Sequence, residues 1–223
     1  IAFIAVSALL RGPFEKREPV PFSAPFRALG RPALAILAVT ALFYNIGFFV
    51  LLTFSPFPLG FGAMGIGLTF FGWGVALAIT SVWVAPALMR RMPRTAIILV
   101  TLPLLAVDLI AAGLLVSDPA SLVPCIIIGG LLLGVMNTVL TEAVMEATDL
   151  PRSVASSSYS AVRFLGGAVA PPAAAGLAHA FGDTVPYLFA AASVLLATLT
   201  VLLGRKVLSH IDDPSEGAAE DAE

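Results

Sequence analysis

Charged residues are scarce in this sequence of 223 residues: they make up 12% of it, whereas about 25% is usual for a soluble domain. The 12 Lys and Arg residues are balanced by 14 Asp and Glu residues, and the formal net charge is -2. A protein that binds nucleic acid needs a basic surface that neutralises phosphates, and this composition provides none. The sequence therefore predicts no nucleic-acid partner.

Cysteine and histidine are scarcer still. The single cysteine, Cys125, cannot form a disulfide within the chain, and the two histidines, His179 and His210, fall in a predicted loop and in the C-terminal tail. The sequence contains no cluster with metal-ligand spacing, no Ser/His/Asp set and no phosphate-binding loop. We therefore expect no catalytic residues, no metal and no cofactor, and a protein that is not an enzyme.

Hydrophobic residues, in contrast, make up 59% of the chain, and its mean hydropathy is +0.99. The 19 Gly and 17 Pro residues are scattered through the apolar stretches, which is typical of helices in lipid. A helix of about 20 apolar residues crosses the roughly 30 Å hydrocarbon core of a bilayer. Stretches of that length predict an all-α membrane protein with six transmembrane helices, over 33–55, 65–89, 95–116, 122–141, 154–178 and 184–204.

The segments around these spans predict the domain organisation. Residues 1–11 are apolar but too short to span, so we interpret them as the end of a truncated transmembrane helix. Residues 12–32 are interrupted by prolines and predict a cytoplasmic linker. The six-helix bundle then occupies 33–204. Residues 205–223 are rich in Asp and Glu without apolar periodicity, which predicts a disordered acidic tail.

Basic residues occur in alternate connections. Eleven of the 12 lie before the first span, between the second and third, between the fourth and fifth, or after the sixth. The intervening connections at 55–64, 117–121 and 179–184 contain no Lys or Arg. By the positive-inside rule the basic side is cytoplasmic, and the even number of spans places the C-terminus there too.

Ionisable residues inside the spans are costly and mark protein interiors or water. Asp108 lies about 20 Å along the third span, near the midplane, and is the candidate proton carrier. Arg163 in the fifth span either snorkels or pairs with a carboxylate, or lines a water-filled cavity. Glu142 and Glu146 share one face of the fourth span, from which either can meet Arg163 or Arg152. The predicted gate and charge network consists of Arg163, Glu142, Glu146, Arg152, Arg90 and Arg94.

Uncharged polar groups mark further faces. Gly130, Gly134 and Asn137 share one side of the fourth span, where the glycines allow close helix approach and Asn137 either joins helices or faces a cavity. Trp73 lies at mid-depth, where its indole N–H needs a partner, which favours a wet cavity. The predicted substrate cavity consists of Tyr44, Asn45, Phe48, Trp73, Met136, Asn137 and Tyr159.

Two motifs resemble the C-terminal six-helix half of a major facilitator superfamily transporter. The turn over 88–94 resembles the basic loop signature of that superfamily, with Pro93 where glycine is usual and no acidic residue before the arginines. The second motif is similar to bacterial drug exporters of the bacillibactin-exporter-like branch. It comprises 134–145, 152–156, Tyr159, Arg163, 166–168 and Pro171. Gly166, Ala170 and Pro171 also resemble, in degenerate form, the glycine-proline kink of antiporters.

The resemblance implies alternating access, in which two six-helix bundles rock about a central site. It implies efflux of hydrophobic or cationic small molecules driven by proton entry, in the bacterial cytoplasmic (inner) membrane. The implied partners are the lipid bilayer, a missing N-terminal six-helix half, the substrate and protons. The first, second, fourth and fifth spans would line the cavity. The third and sixth, including Asp108, would lie outside it, and the main proton site would lie in the missing half.

Two other interpretations stay open at this point. An importer or facilitator of the same fold would have a cavity rich in amides and hydroxyls, whereas Tyr44, Phe48, Phe70, Trp73 and Met136 suggest apolar substrates. A receptor or assembly scaffold built on the same bundle would not transport anything.

Overall fold

A computed structural model describes residues 27–148, 150–209 and 212. Regular structure within these residues is all helical, and six helices are long and apolar enough to cross a membrane. The predicted fold class is therefore confirmed. The predicted truncated helix, most of the predicted linker and most of the predicted tail lie outside the described residues. The six helices are α1 (Pro32–Leu59), α2 (Ala63–Met89), α3 (Arg94–Leu114), α4 (Pro119–Glu146), α5 (Arg152–Phe181) and α6 (Thr184–Leu208).

Prolines and one aspartate mark the starts of two of these helices. Pro32 and Pro119 stand in the first turn of α1 and α4, where a missing N–H breaks no helical hydrogen bond. Asp118 caps α4 by accepting hydrogen bonds from the backbone N–H groups of Ala120 at 3.3 Å and Ser121 at 3.2 Å. A hydrogen bond from the Ser121 hydroxyl, at 2.5 Å, holds the pKa of Asp118 below its usual range.

The helices pack side by side in the order α2, α4, α3, α6, α1, α5, and weaker contacts join α1 to α4 and α5 to both α4 and α6. The helices α2 and α5 therefore stand at the two ends of the row, and they are the least buried of the six. In contrast, α3 and α6 bury one face in the core and expose an apolar face suited to lipid. That face includes Val100, Leu104, Val107, Leu199 and Leu203.

The helix α2 is not uniform along its length. Residues Thr80–Val84 form a π turn between two α-helical parts, Ala63–Ile79 and Ala85–Met89. Pro86 follows the π turn and has no N–H to donate to the preceding turn, so the regular hydrogen-bond ladder is interrupted there. The hydropathy pattern gives no sign of this irregularity, because a π turn changes hydrogen bonding and leaves composition unchanged.

One end of the bundle carries the basic residues and is called the basic end below. It holds the start of α1, α3 and α5 and the end of α2, α4 and α6. The start of α3 and the segment after α6 meet there, because the backbone N–H of Thr95 donates to Asp212 Oδ1 at 3.1 Å. The described basic residues at this end are Arg27, Arg31, Arg90, Arg91, Arg94, Arg152, Arg205 and Lys206.

Candidate functional site

Two glycines bring α4 against α2, as the sequence predicts. A Cβ atom added at Gly130 would lie 2.6 Å from the Trp73 carbonyl oxygen, and one added at Gly134 would lie 2.5 Å from the Leu77 carbonyl oxygen. The Ser81 hydroxyl, from the π turn, donates to the Gly134 carbonyl at 3.0 Å. The close approach of these helices is therefore confirmed, and it fixes the side of α4 on which Asn137 lies.

A third glycine holds α5 against α1. A Cβ atom added at Gly166 would overlap the Leu42 carbonyl oxygen and lie 3.4 Å from Asn45 Cβ. One turn away, the Asn45 amide nitrogen donates to the Arg163 carbonyl oxygen at 2.8 Å. The backbone of α5 beside Arg163 is thus fixed to α1, and this sets where the Arg163 side chain begins.

Tyr44 from α1 meets Tyr159 and Arg163 from α5 at this interface. Tyr44 is completely buried and Tyr159 is 2% exposed. Both hydroxyls are within electrostatic range of the Arg163 guanidinium, and the Tyr159 hydroxyl is also close to Thr141, but neither hydroxyl makes a hydrogen bond of good geometry. The Arg163 Cζ atom lies 5.9 Å from the Tyr159 ring centroid and 5.6 Å from the Phe164 ring centroid. Two aromatic rings therefore flank the cation.

An aromatic cluster connects α1 to α2. Phe48 contacts Trp73 with a ring-centroid distance of 5.8 Å, and Phe70 contacts Trp73 at 6.3 Å. Trp73 is half-buried, and its indole nitrogen makes no hydrogen bond. Met136, the remaining apolar residue predicted for the substrate cavity, is fully buried in the hydrophobic core.

The polar residues predicted for the cavity and Arg163 share an unusual property. Each carries a buried polar atom without a hydrogen-bond partner, whereas the large majority of buried polar side-chain atoms in proteins are paired. Groups of this kind suit a ligand or water. The atoms are Tyr44 Oη, Asn45 Oδ1, Trp73 Nε1, Asn137 Oδ1, Tyr159 Oη and Arg163 Nε.

The two glutamates of α4 contact Arg94, which belongs to the predicted charge network. Arg94 Nη2 lies 3.7 Å from Glu142 Oε2 and 3.7 Å from Glu146 Oε1, at the basic end. Among the described residues neither glutamate pairs with Arg163 or Arg152, the two arginines that the sequence suggested. Helical spacing places both glutamates on one face of α4, but it does not identify the neighbouring helix, which is α3.

We expect Glu142→Gln and Glu146→Gln each to lower the free energy of unfolding by less than about 1 kcal/mol, because these side chains are half-exposed at 49% and 58%. The losses in the two single variants should not simply add in the double variant, because both carboxylates contact the same guanidinium. A double-mutant cycle on the full-length protein at low and high salt measures this coupling. Strictly additive losses would contradict a shared arginine.

Asp108 lies inside the bundle. Its side chain is 7% exposed, Oδ2 makes no hydrogen bond, and a Cβ atom added at Gly129 on α4 would lie only 3.2 Å from that oxygen. Although α3 packs mainly against α4 and α6, the Asp108 carboxyl points towards α4 and Leu51 of α1. The resemblance assigned α3 to a position outside the cavity and gave no indication of this inward orientation.

A buried polar contact near the opposite end was missed at the sequence level. The Tyr187 hydroxyl of α6 donates to Ser55 Oγ of α1 at 2.9 Å, and both residues are fully buried. Tyr187 is within electrostatic range of Cys125, and Cys125 is within range of Asp108. A signal was present, because Tyr187 stands in the first turn of a predicted span, where a buried hydroxyl needs a partner.

No protein-family model matches the chain. Over 211 residues, which is 95% of this chain, it is 39% identical to a protein named multidrug efflux protein YfmO, from Bacillus subtilis (strain 168). The aligned region covers 53% of that protein, so the chain spans about half the length of the curated relative that it matches.

Proposed function

We propose that this chain is the C-terminal six-helix half of a major facilitator superfamily exporter of the bacillibactin-exporter-like branch. The complete protein would move hydrophobic or cationic small molecules out of the cell by alternating access, coupled to protons. The observation that carries the proposal is the 39% identity to a multidrug efflux protein, which extends over 95% of this six-helix chain.

The exposed faces of α2 and α5 support the presence of a second bundle. On α5 the exposed Ser153, Ser156 and Ser157 form a polar surface that is unsuited to lipid. On α2, a Cβ atom added at Gly67 or Gly74 would meet nothing within 4 Å outside its own helix turn, so a helix from elsewhere has room to approach. A six-helix half packed against these two faces would cover both and would also cover the accessible part of Arg163, beside the buried Tyr44 and Tyr159.

The orientation follows from the charges. We propose that the basic end faces the cytoplasm of a bacterium, since the opposite connections lack Lys and Arg. In this orientation Arg90, Arg94, Arg152 and the two glutamates of α4 lie at the cytoplasmic mouth of the cavity, where their contacts can change between access states. The Arg94 pairs with Glu142 and Glu146 would then be contacts of one such state.

Asp108 is the proton carrier that this half would contribute. Its carboxyl is buried with no counter-charge in contact among the residues that the structure describes, and an ionised carboxylate there would be costly. The packing therefore suits the neutral acid, and release of the proton requires a change in this environment. Alternating access provides such a change in each cycle.

Transport by the full-length protein in inverted membrane vesicles tests the proposal. We expect an imposed proton gradient, acidic inside, to drive accumulation of lipophilic dyes, drawn from a panel of cationic, uncharged and anionic compounds. Loss of accumulation on collapse of the gradient would support proton coupling. Movement only in the opposite direction would indicate an importer, and binding of dyes without any movement would indicate a receptor or scaffold.

A further inference from the structure

Arg163 has no acidic partner among the described residues. A guanidinium is always charged in proteins, and here its Nε atom is buried without a hydrogen bond. The candidate acids are engaged elsewhere or lie at another interface: Glu142 and Glu146 contact Arg94, and Asp108 lies between α3 and α4. A partly buried cation inside a membrane bundle raises the free energy of the protein unless a counter-charge is near. The Arg163 position is therefore suited to an anion that the described residues do not supply, such as a bound ligand.

The groups around Arg163 are hydrogen-bond donors. The hydroxyls of Tyr44 and Tyr159 are nine-tenths or more buried, make no hydrogen bond of good geometry with the described residues and are within electrostatic range of the guanidinium. The nearby amide nitrogen of Asn45 is already used, because it donates to the Arg163 carbonyl. Two hydroxyls and one guanidinium provide several donors and one positive charge, which is the chemistry of a carboxylate-binding site.

An aromatic ring and a row of serines lie on either side of the Arg163 guanidinium. Phe164, which is 56% exposed, flanks the guanidinium, and its ring can contact the apolar body of a ligand. Ser160 and Ser156 lie on the same face of α5, one and two turns from Arg163 towards the basic end. A polar strip thus connects the cation with the basic end, while an aromatic ring lies beside it.

We propose that Arg163, Tyr44 and Tyr159 form a subsite that binds the carboxylate of an amphipathic substrate, whose apolar body packs on Phe164. The inference rests on the proposed function and revises one part of it, the charge of the substrate. Arg163 would attract anionic compounds and repel cationic ones at this subsite, so the cationic substrates implied by the family resemblance would be disfavoured in this half.

Equilibrium binding of three matched fluorescent probes to the purified full-length protein in detergent tests this inference. The probes are pyrenebutyrate, uncharged pyrenebutanol and cationic pyrenebutylamine, with protein-free micelles as the blank. We expect pyrenebutyrate to bind at least about tenfold more tightly than pyrenebutanol, because hydrogen bonds to charged groups have about that effect on affinity. Pyrenebutylamine should bind most weakly. Equal binding of all three probes by the unaltered protein would overturn the proposal without any variant.

Variants then assign the preference to Arg163. Arg163→Gln should abolish the preference for pyrenebutyrate while pyrenebutanol binding stays unchanged, and Arg163→Lys should keep part of it, since the charge remains but the planar fork is lost. Lys206→Gln removes one positive charge at the exposed end of α6 and should change nothing. An equal loss for all three probes in Arg163→Gln would indicate a structural role. An unchanged preference in that variant would indicate that Arg163 is already neutralised by a carboxylate from the rest of the protein. Either result would overturn the subsite.

The binding test and the vesicle test fail separately. If the full-length protein binds pyrenebutyrate through Arg163 but moves no dye, the proposed export is wrong and the subsite stands. If dyes are exported on a proton gradient and the probes show no charge preference, the export stands and the subsite is wrong.

Discussion

Gly134→Ala should lower the free energy of unfolding of the full-length protein by about 1–3 kcal/mol, the range usual for overpacking a well-packed interior. The new Cβ atom would lie 2.5 Å from the Leu77 carbonyl oxygen and would overlap the Thr80 hydroxyl. A side chain can rotate away, but the Leu77 oxygen belongs to the backbone of α2, so the whole helix must shift. That shift also breaks the hydrogen bond from Ser81 to the Gly134 carbonyl.

Thermal unfolding in detergent, followed for a matched set of variants, measures this effect. Gly176→Ala is the control, because a Cβ atom there meets nothing within 4 Å and alanine favours a helix by up to about 1 kcal/mol over glycine. Adding Thr80→Ala to Gly134→Ala should restore only part of the stability, since the Leu77 oxygen stays in place. A Gly134→Ala protein as stable as the control would show that α2 and α4 are further apart than the structure has them.

The transmembrane spans were predictable because the pattern that identifies them lies within one continuous stretch of sequence. Length and hydropathy along the chain are enough to place a helix across a bilayer, and all six predicted stretches correspond to helices. The ends were less accurate: α4 extends to Glu146, beyond the predicted end at residue 141. Glutamates interrupt an apolar stretch, but they do not end a helix whose last turns stand at the membrane surface.

The helix that packs against each face was less predictable, because residue spacing along one helix does not identify the neighbouring helix. Gly130 and Gly134 correctly indicated a close approach, since only small residues permit it. Glu142 and Glu146 were correctly placed on one face, but spacing could not single out Arg94 as their partner, because that contact depends on the packing of α3 beside α4. The inward direction of Asp108 likewise depends on Gly129 of another helix.

The second large effect is expected at Asp108, and it follows from the proposed proton coupling. Asp108→Asn should lose most of the dye accumulation that a proton gradient drives, because an amide has nearly the shape of the neutral acid but cannot release a proton. The site itself should tolerate the change, since the carboxyl is enclosed without a charged contact and Gly129 leaves the space that it occupies. Folding, measured as the melting temperature, should therefore change little.

Dye exchange without a gradient separates this role from a structural one. Preloaded vesicles that swap labelled for unlabelled dye need the conformational cycle but no net proton movement, so Asp108→Asn should keep exchange while losing gradient-driven accumulation. Asp118→Asn, at the exposed cap of α4, is the matched control and should keep both. If Asp108→Asn accumulates dye as well as the unaltered protein, Asp108 carries no proton. If Asp108→Asn loses both exchange and accumulation at an unchanged melting temperature, the carboxyl is needed for the movement of the helices and the proposed proton role is contradicted. Exchange requires that movement but involves no release of a proton.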